Sequence, residues 1–142
     1  MQQLSAYVPQ DRLRALALGT RMPNRTSGAA LFADISGFTP LTEALTQQDG
    51  PRRGIEELTR QINAVYDSLI AEIERYGGSV ISFAGDAITC WFDLAPAEIA
   101  AASAVSAALA MQKAMSGFPQ LGLKVAVTSG PAACAGLADA IA

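Results

Sequence analysis

The sequence has no histidine, and its only cysteines are Cys90 and Cys134. Without imidazole there is no Ser-His or Cys-His nucleophile pair, no histidine base and no ordinary zinc site. Metal chemistry would have to use oxygen ligands, which select magnesium, manganese or calcium. Two cysteines in apolar surroundings read as free thiols of a reducing compartment. Basic residues are in deficit as well: 10 Lys and Arg stand against 13 Asp and Glu, for a formal charge of −3. Such a chain offers no electrostatic footprint for a nucleic-acid backbone or an anionic membrane. Phosphate would have to be held by backbone amides or through metal ions. Long apolar runs are missing too. Residues 99–111 are mostly alanine and too few to span a bilayer. The opening "MQQLSAYVPQDRLRALALG" lacks the apolar core of a signal peptide. The expectation is a soluble, cytoplasmic protein with no nucleic-acid or membrane partner.

What is present suits one domain: 142 residues, 51% of them apolar. Residues 9–18 read as a short helix and "GTRMPNRTSG" as a turn-rich linker, so residues 1–28 are expected to precede a domain over 29–142. "AALFADI" (29–35), between Gly28 and Gly37, reads as a buried strand. Thr39 before Pro40 has the pattern of an N-cap with proline at the first helical position. Over residues 53–76, Ile55, Leu58, Ile62, Val65, Leu69 and Ile73 recur at the helical period, and Gly77-Gly78 supplies the stop. "SVISF" (79–83) and "AITCWF" (87–92) are β-rich, with Ala84-Gly85 as a tight turn. Residues 96–116 form an Ala-rich helix and "LKVAVTSGP" (123–131) a last strand. The order strand, helix pair, hairpin, helix, strand predicts an α+β fold: a ferredoxin-like antiparallel sheet with helices on one face. Cys90 reads as core, and Trp91 as facing either the helices or a partner.

The chemistry gathers around "LFADISGFTPLTE" (31–43). Apolar residues lead straight into Asp34, where a lone buried carboxylate would be costly unless compensated. In the predicted topology strand one ends at Asp34 and strand three, antiparallel beside it, begins at Asp86. Both carboxylates then reach one edge of the sheet. Two such groups in a partly dry site repel each other. A pair of divalent cations removes the repulsion, and magnesium typically takes one or two carboxylates together with substrate phosphate oxygens. The turn Ser36-Gly37-Phe38-Thr39 lies at a helix start, where free N–H groups and the helix dipole favour an anion. This combination implies a nucleoside triphosphate and metal-assisted phosphoryl chemistry. Read singly, Asp34 is a strand-end residue, Asp86 a turn residue and Thr39 a helix cap; their convergence favours the functional reading.

"LFADISGFTPLTE" and "GGSVISFAGDAITCWF", in this order and in these structural slots, resemble the class III nucleotidyl cyclases, nearest to the first catalytic domain of the soluble adenylyl cyclase type. The resemblance runs from about residue 7 to 131. It implies the cyclase fold, C-terminally incomplete, and conversion of ATP to 3′,5′-cyclic AMP and pyrophosphate with two Mg²⁺ or Mn²⁺, with GTP as the second candidate substrate. It further implies that Asp34 and Asp86 bind metal, that Ile35 adds its backbone carbonyl, and that Ser36, Gly37, Phe38 and Thr39 form the turn that holds the triphosphate. The chain would be the metal-bearing half of a site completed by a second cyclase-like domain, in cis or in trans.

One departure bears on this reading. The family often carries a base-recognising lysine four residues before the second aspartate, and Ser82 stands there. The alternative is a degenerate cyclase-like module that binds nucleotide, or only dimerises, and regulates an attached domain. Haloacid-dehalogenase-like phosphatases need a second aspartate where Ser36 stands, and diguanylate cyclases need a signature that "GGSVI" does not supply.

Overall fold

A computed structural model of the chain describes residues 10–19 and 25–133. The elements are α1 (Gln10–Ala17), β1 (Arg25–Ser36), α2 (Phe38–Arg75), β2 (Ser79–Ala84), β3 (Ala87–Phe92), α3 (Ala97–Ala114), a single 3₁₀ turn (Met115–Gly117) and β4 (Gly122–Ala133). The four strands form one sheet in the order β2-β3-β1-β4, antiparallel at every junction. This is the ferredoxin-like arrangement that the element order predicts.

Strand alternation decides which face is covered. Ala29, Leu31, Ala33 and Ile35 of β1 share a face with Ile88, Cys90 and Phe92 of β3, and all are buried. Against that face pack Val65, Leu69 and Ile73 of α2 and Ala100, Ala104, Ala107 and Met111 of α3. The inward stripe of α3 is mostly alanine, and such short side chains suit close approach to the sheet. The other face carries Phe32, Asp34, Thr89 and Lys124 and is largely open; Phe32 is 46% exposed. Trp91 lies on this open side, since it alternates with the inward Cys90 and Phe92. Among the described residues no helix is long and apolar enough to cross a membrane.

Several boundaries differ from the sequence expectation. β1 begins at Arg25, not at residue 29, because residues 25–28 keep pairing with residues 130–133 of β4. Gly28 permits this: a Cβ there would lie 2.3 Å from the Phe92 carbonyl and 2.9 Å from the Trp91 ring. The expected helix pair is present: the span Phe38–Arg75 is two helices joined at a kink at Gly50, whose φ of 82° and ψ of 167° lie outside helical values, followed by Pro51. Only the later part of its apolar stripe is fully buried; Ile55 is 58% exposed. Cys90 is core, as expected, and burial pushes its thiol up to about 12. Cys134 lies outside the described residues.

Candidate functional site

β1 and β3 run in opposite directions, so the end of one meets the start of the other. Asp34 pairs in register with Ala87. One step further, the Ile35 N–H donates to the Asp86 carbonyl across 3.1 Å. In an extended strand a residue's N–H and C=O project to the same side. The Ile35 carbonyl therefore also faces the Asp86 turn. Asp34, Ile35 and Asp86 are thus brought together at one edge of the sheet.

Two details of this edge differ from the expectation. Asp34 is exposed, not buried, because alternation places it on the open face between inward Ala33 and Ile35. The question of what compensates a buried charge therefore does not arise. Asp86 is the second residue of the β2–β3 turn and does not yet belong to β3. Of the two turn residues only Gly85 has a positive φ, 60°, which is the pattern of a II′ hairpin turn. Asp86 is exposed as well.

Neither carboxylate forms a side-chain hydrogen bond or ion pair with any described residue. Their joint field is nevertheless felt nearby. Partial burial, then Asp86 and Asp34 in that order, hold the Tyr66 phenol above its ordinary value. Asp34, Asp86 and the Ile35 carbonyl stand at neighbouring positions of one rim, and oxygen donors of this kind are those a hard divalent cation takes. Among the described residues no group of three or more acidic, Cys or His side chains is gathered as a metal site, at this rim or elsewhere.

β1 hands over directly to α2 at Ser36 and Gly37. Gly37 is the N-cap, in a left-handed conformation with φ 99° and ψ 6°. Thr39, the expected cap, is instead the second helical residue, and it is exposed. Gly37 takes the cap because the chain must reverse there without a side chain: a Cβ would lie 2.8 Å from the Gln120 carbonyl. The Gly37 carbonyl accepts from the Leu41 N–H at 3.2 Å. Pro40 has no N–H, so Phe38 and Thr39 supply the free amides of the first turn. The first turn carries no acidic residue to compete with an anion.

Sequence reasoning missed two residues here. Lys124 of β4 pairs in register with Asp34 and is exposed, yet forms no ion pair with described residues. Its signal was present: a lysine on the polar phase of an alternating strand. Tyr66 had none, since it reads as one more residue of a long helix. Ser82 pairs with Thr89 and is exposed, on the open side of the sheet.

No family model matches the chain. Adenylate cyclase type 10 of Rattus norvegicus is 31% identical over 91 residues, covering 61% of this chain and 5% of that protein. A photoactivated adenylate cyclase subunit beta-like protein of Euglena gracilis is 32% identical over 105 residues, covering 71% of this chain and 11% of that one. The chain thus spans only a small part of the curated relatives it matches. A bacterial light-regulated adenylyl cyclase superposes with a TM-score of 0.73 at 20% identity, over 93% of this chain and 40% of that one. Guanylyl cyclase domains share the fold as well. In fold and in sequence, the chain belongs to the class III nucleotidyl cyclase domains.

Proposed function

We propose that the chain forms the metal- and triphosphate-binding half of a cyclase site that converts ATP to 3′,5′-cyclic AMP and pyrophosphate. The observation that carries this reading is that two exposed aspartates, neither paired with a described residue, share one rim beside a helix N-terminus. Asp34, Asp86 and the Ile35 carbonyl would hold two divalent cations, Mg²⁺ or Mn²⁺. Bound there, the cations would lower the pKa of the ribose 3′-hydroxyl and neutralise charge on the phosphates. The free amides of Phe38 and Thr39, with Ser36 and Gly37 shaping the turn, receive the anion at the positive end of α2. Lys124 adds a cation on the open face next to Asp34. In the reaction the 3′-oxygen bonds to the α-phosphorus, the bond from that phosphorus to the β-bridging oxygen breaks, and the hydroxyl proton leaves to solvent. ATP is favoured over GTP because both curated relatives are adenylate cyclases.

The shape of this edge supports a partner domain. The carboxylates stand exposed on a sheet rim, and two clefts of about 410 and 740 Å³ on the helix side include neither of them. A second cyclase-like domain, in cis or in trans, would cover the open face and enclose the nucleotide. The exposed Ser82, standing where the family often reads the base with a lysine, favours a second reading in which the chain binds nucleotide and regulates without turnover. Titrating Mn²⁺ and ATP against wild type, Asp34→Asn and Asp86→Asn tests the site: each substitution should weaken metal-dependent nucleotide binding at least tenfold, roughly the loss of one charge-assisted contact. Unchanged binding in both variants refutes the site. Binding without cyclic AMP, even when a cyclase-like partner domain is added, establishes the regulatory reading instead.

A further inference from the structure

Asp86 sits at the free tip of a hairpin whose outer strand, β2, is an edge of the sheet. At Gly85 nothing packs over the tip, since a Cβ there would meet nothing within 4 Å, and a main-chain bond from Ile35 to Asp86 ties the turn to β1. Metal binding by a carboxylate pair nevertheless requires that the tip keep its distance from Asp34. A ring contact lies on the helix side, just behind the turn. The register of β2 against β3 shifts between Val80 and Ser82. Unbroken alternation from the inward Val80 would send Phe83 to the open face. The shift instead pairs Phe83 with the inward Ile88, which puts it on the α2 side of the sheet, where it remains 58% exposed. There its ring meets Tyr66 edge-on, with centroids 5.8 Å apart and planes at 77°. Such an edge-to-face pair is a favoured aromatic geometry. Tyr66 is itself anchored, since it packs on the core beside the fully buried Val65.

We propose that Tyr66 is a positioning residue for the carboxylate pair: its ring braces Phe83, and through Phe83 the Gly85–Asp86 turn, so that Asp86 is held at a fixed reach from Asp34. The proposal rests on the metal reading above. The bulge in β2 then has a purpose, because it delivers Phe83 to the brace while leaving Ser82 on the open face. The main-chain bond from Ile35 to Asp86 fixes the other side of the turn.

A slackened pair has a specific signature. Mg²⁺ demands near-ideal octahedral geometry with short bonds, whereas Ca²⁺ accepts longer and irregular ones. Loss of the brace should therefore penalise Mg²⁺ more than Ca²⁺, which a general loss of folded protein would not do. The test is displacement of Mn²⁺ by Mg²⁺ and by Ca²⁺ from the 142-residue chain with α,β-methylene-ATP, followed by water proton relaxation. Tyr66→Leu and Phe83→Leu should each lower the Mg²⁺-to-Ca²⁺ affinity ratio by roughly fivefold or more, while Tyr66→Phe, which keeps the ring, should stay within about twofold of wild type. An unchanged ratio in either leucine variant, with a native circular dichroism spectrum, overturns the proposal while leaving the metal site in place. Intact metal binding in both Asp34→Asn and Asp86→Asn overturns the metal reading itself, and the brace with it.

Discussion

Gly37→Ala should destabilise the domain well beyond what one added methyl suggests. Gly37 sits at φ 99°, a left-handed conformation that an L side chain adopts at a cost of about 1–2 kcal/mol. The new Cβ would also stand 2.8 Å from the Gln120 carbonyl and 3.5 Å from the Leu121 Cα. The Leu121 distance is ordinary contact, but the Gln120 carbonyl is backbone, so relief requires moving the segment before β4 or the start of α2. Overpacking of this kind adds about 1–2 kcal/mol. The expected loss is about 2–4 kcal/mol, a large share of the stability of an ordinary domain, or a fall of roughly 8–16 °C in Tm. Urea unfolding followed through the single tryptophan, Trp91, reads this directly. Gly85→Ala is the control, since Gly85 has φ 60° and open space around it, and should cost only the conformational part, about 1–2 kcal/mol. Equal losses in the two variants would refute the contact argument, and a loss below about 0.5 kcal/mol at Gly37 would refute the whole account. The sequence places Gly37 in the triphosphate turn; the Gln120 contact makes it structural as well, so a nucleotide-binding defect should appear together with a folding defect.

Lys124→Ala should weaken ATP binding about tenfold at low ionic strength, with the gap shrinking as salt screens the exposed charge, which isothermal titration at two salt concentrations would show; a salt-independent defect would point to misfolding instead. Cys90 should resist thiol reagents in the native state at pH 8, because burial pushes its pKa up to about 12. In a Cys134→Ser background its labelling should track unfolding. A raised folded-state pKa gives stability that is complete below the unfolded thiol value near ~8.5 and is lost as pH rises toward the folded one; urea midpoints should therefore fall between about pH 9 and pH 11, and less so in Cys90→Ala. Leu69→Ala, at a fully buried position where α2 meets the sheet, should cost about 2–5 kcal/mol without altering the site's metal preference.

The sequence by itself determined the elements and their order. The stripe Val65, Leu69, Ile73 and the alternation in β3 each have one period and one way to bury it, so helix and strand followed from local pattern. Topology followed too, because a short hairpin forces β2 and β3 to be antiparallel neighbours and helical connections return the chain to one face. That was enough to place Asp34 and Asp86 at the same rim. Tertiary structure decided what local pattern cannot encode. Gly37 took the cap from Thr39 because the Gln120 carbonyl, distant in sequence, leaves no room for a side chain. Asp34 proved exposed because its strand has one open face, a fact about what does not pack on it. Lys124 became its neighbour only through the β1–β4 register, and Tyr66 met Phe83 only because a register shift in β2 put that ring on the helix side of the sheet. Periodicity is a property of a segment, whereas register and coverage belong to pairs of segments; the site is made of such pairs.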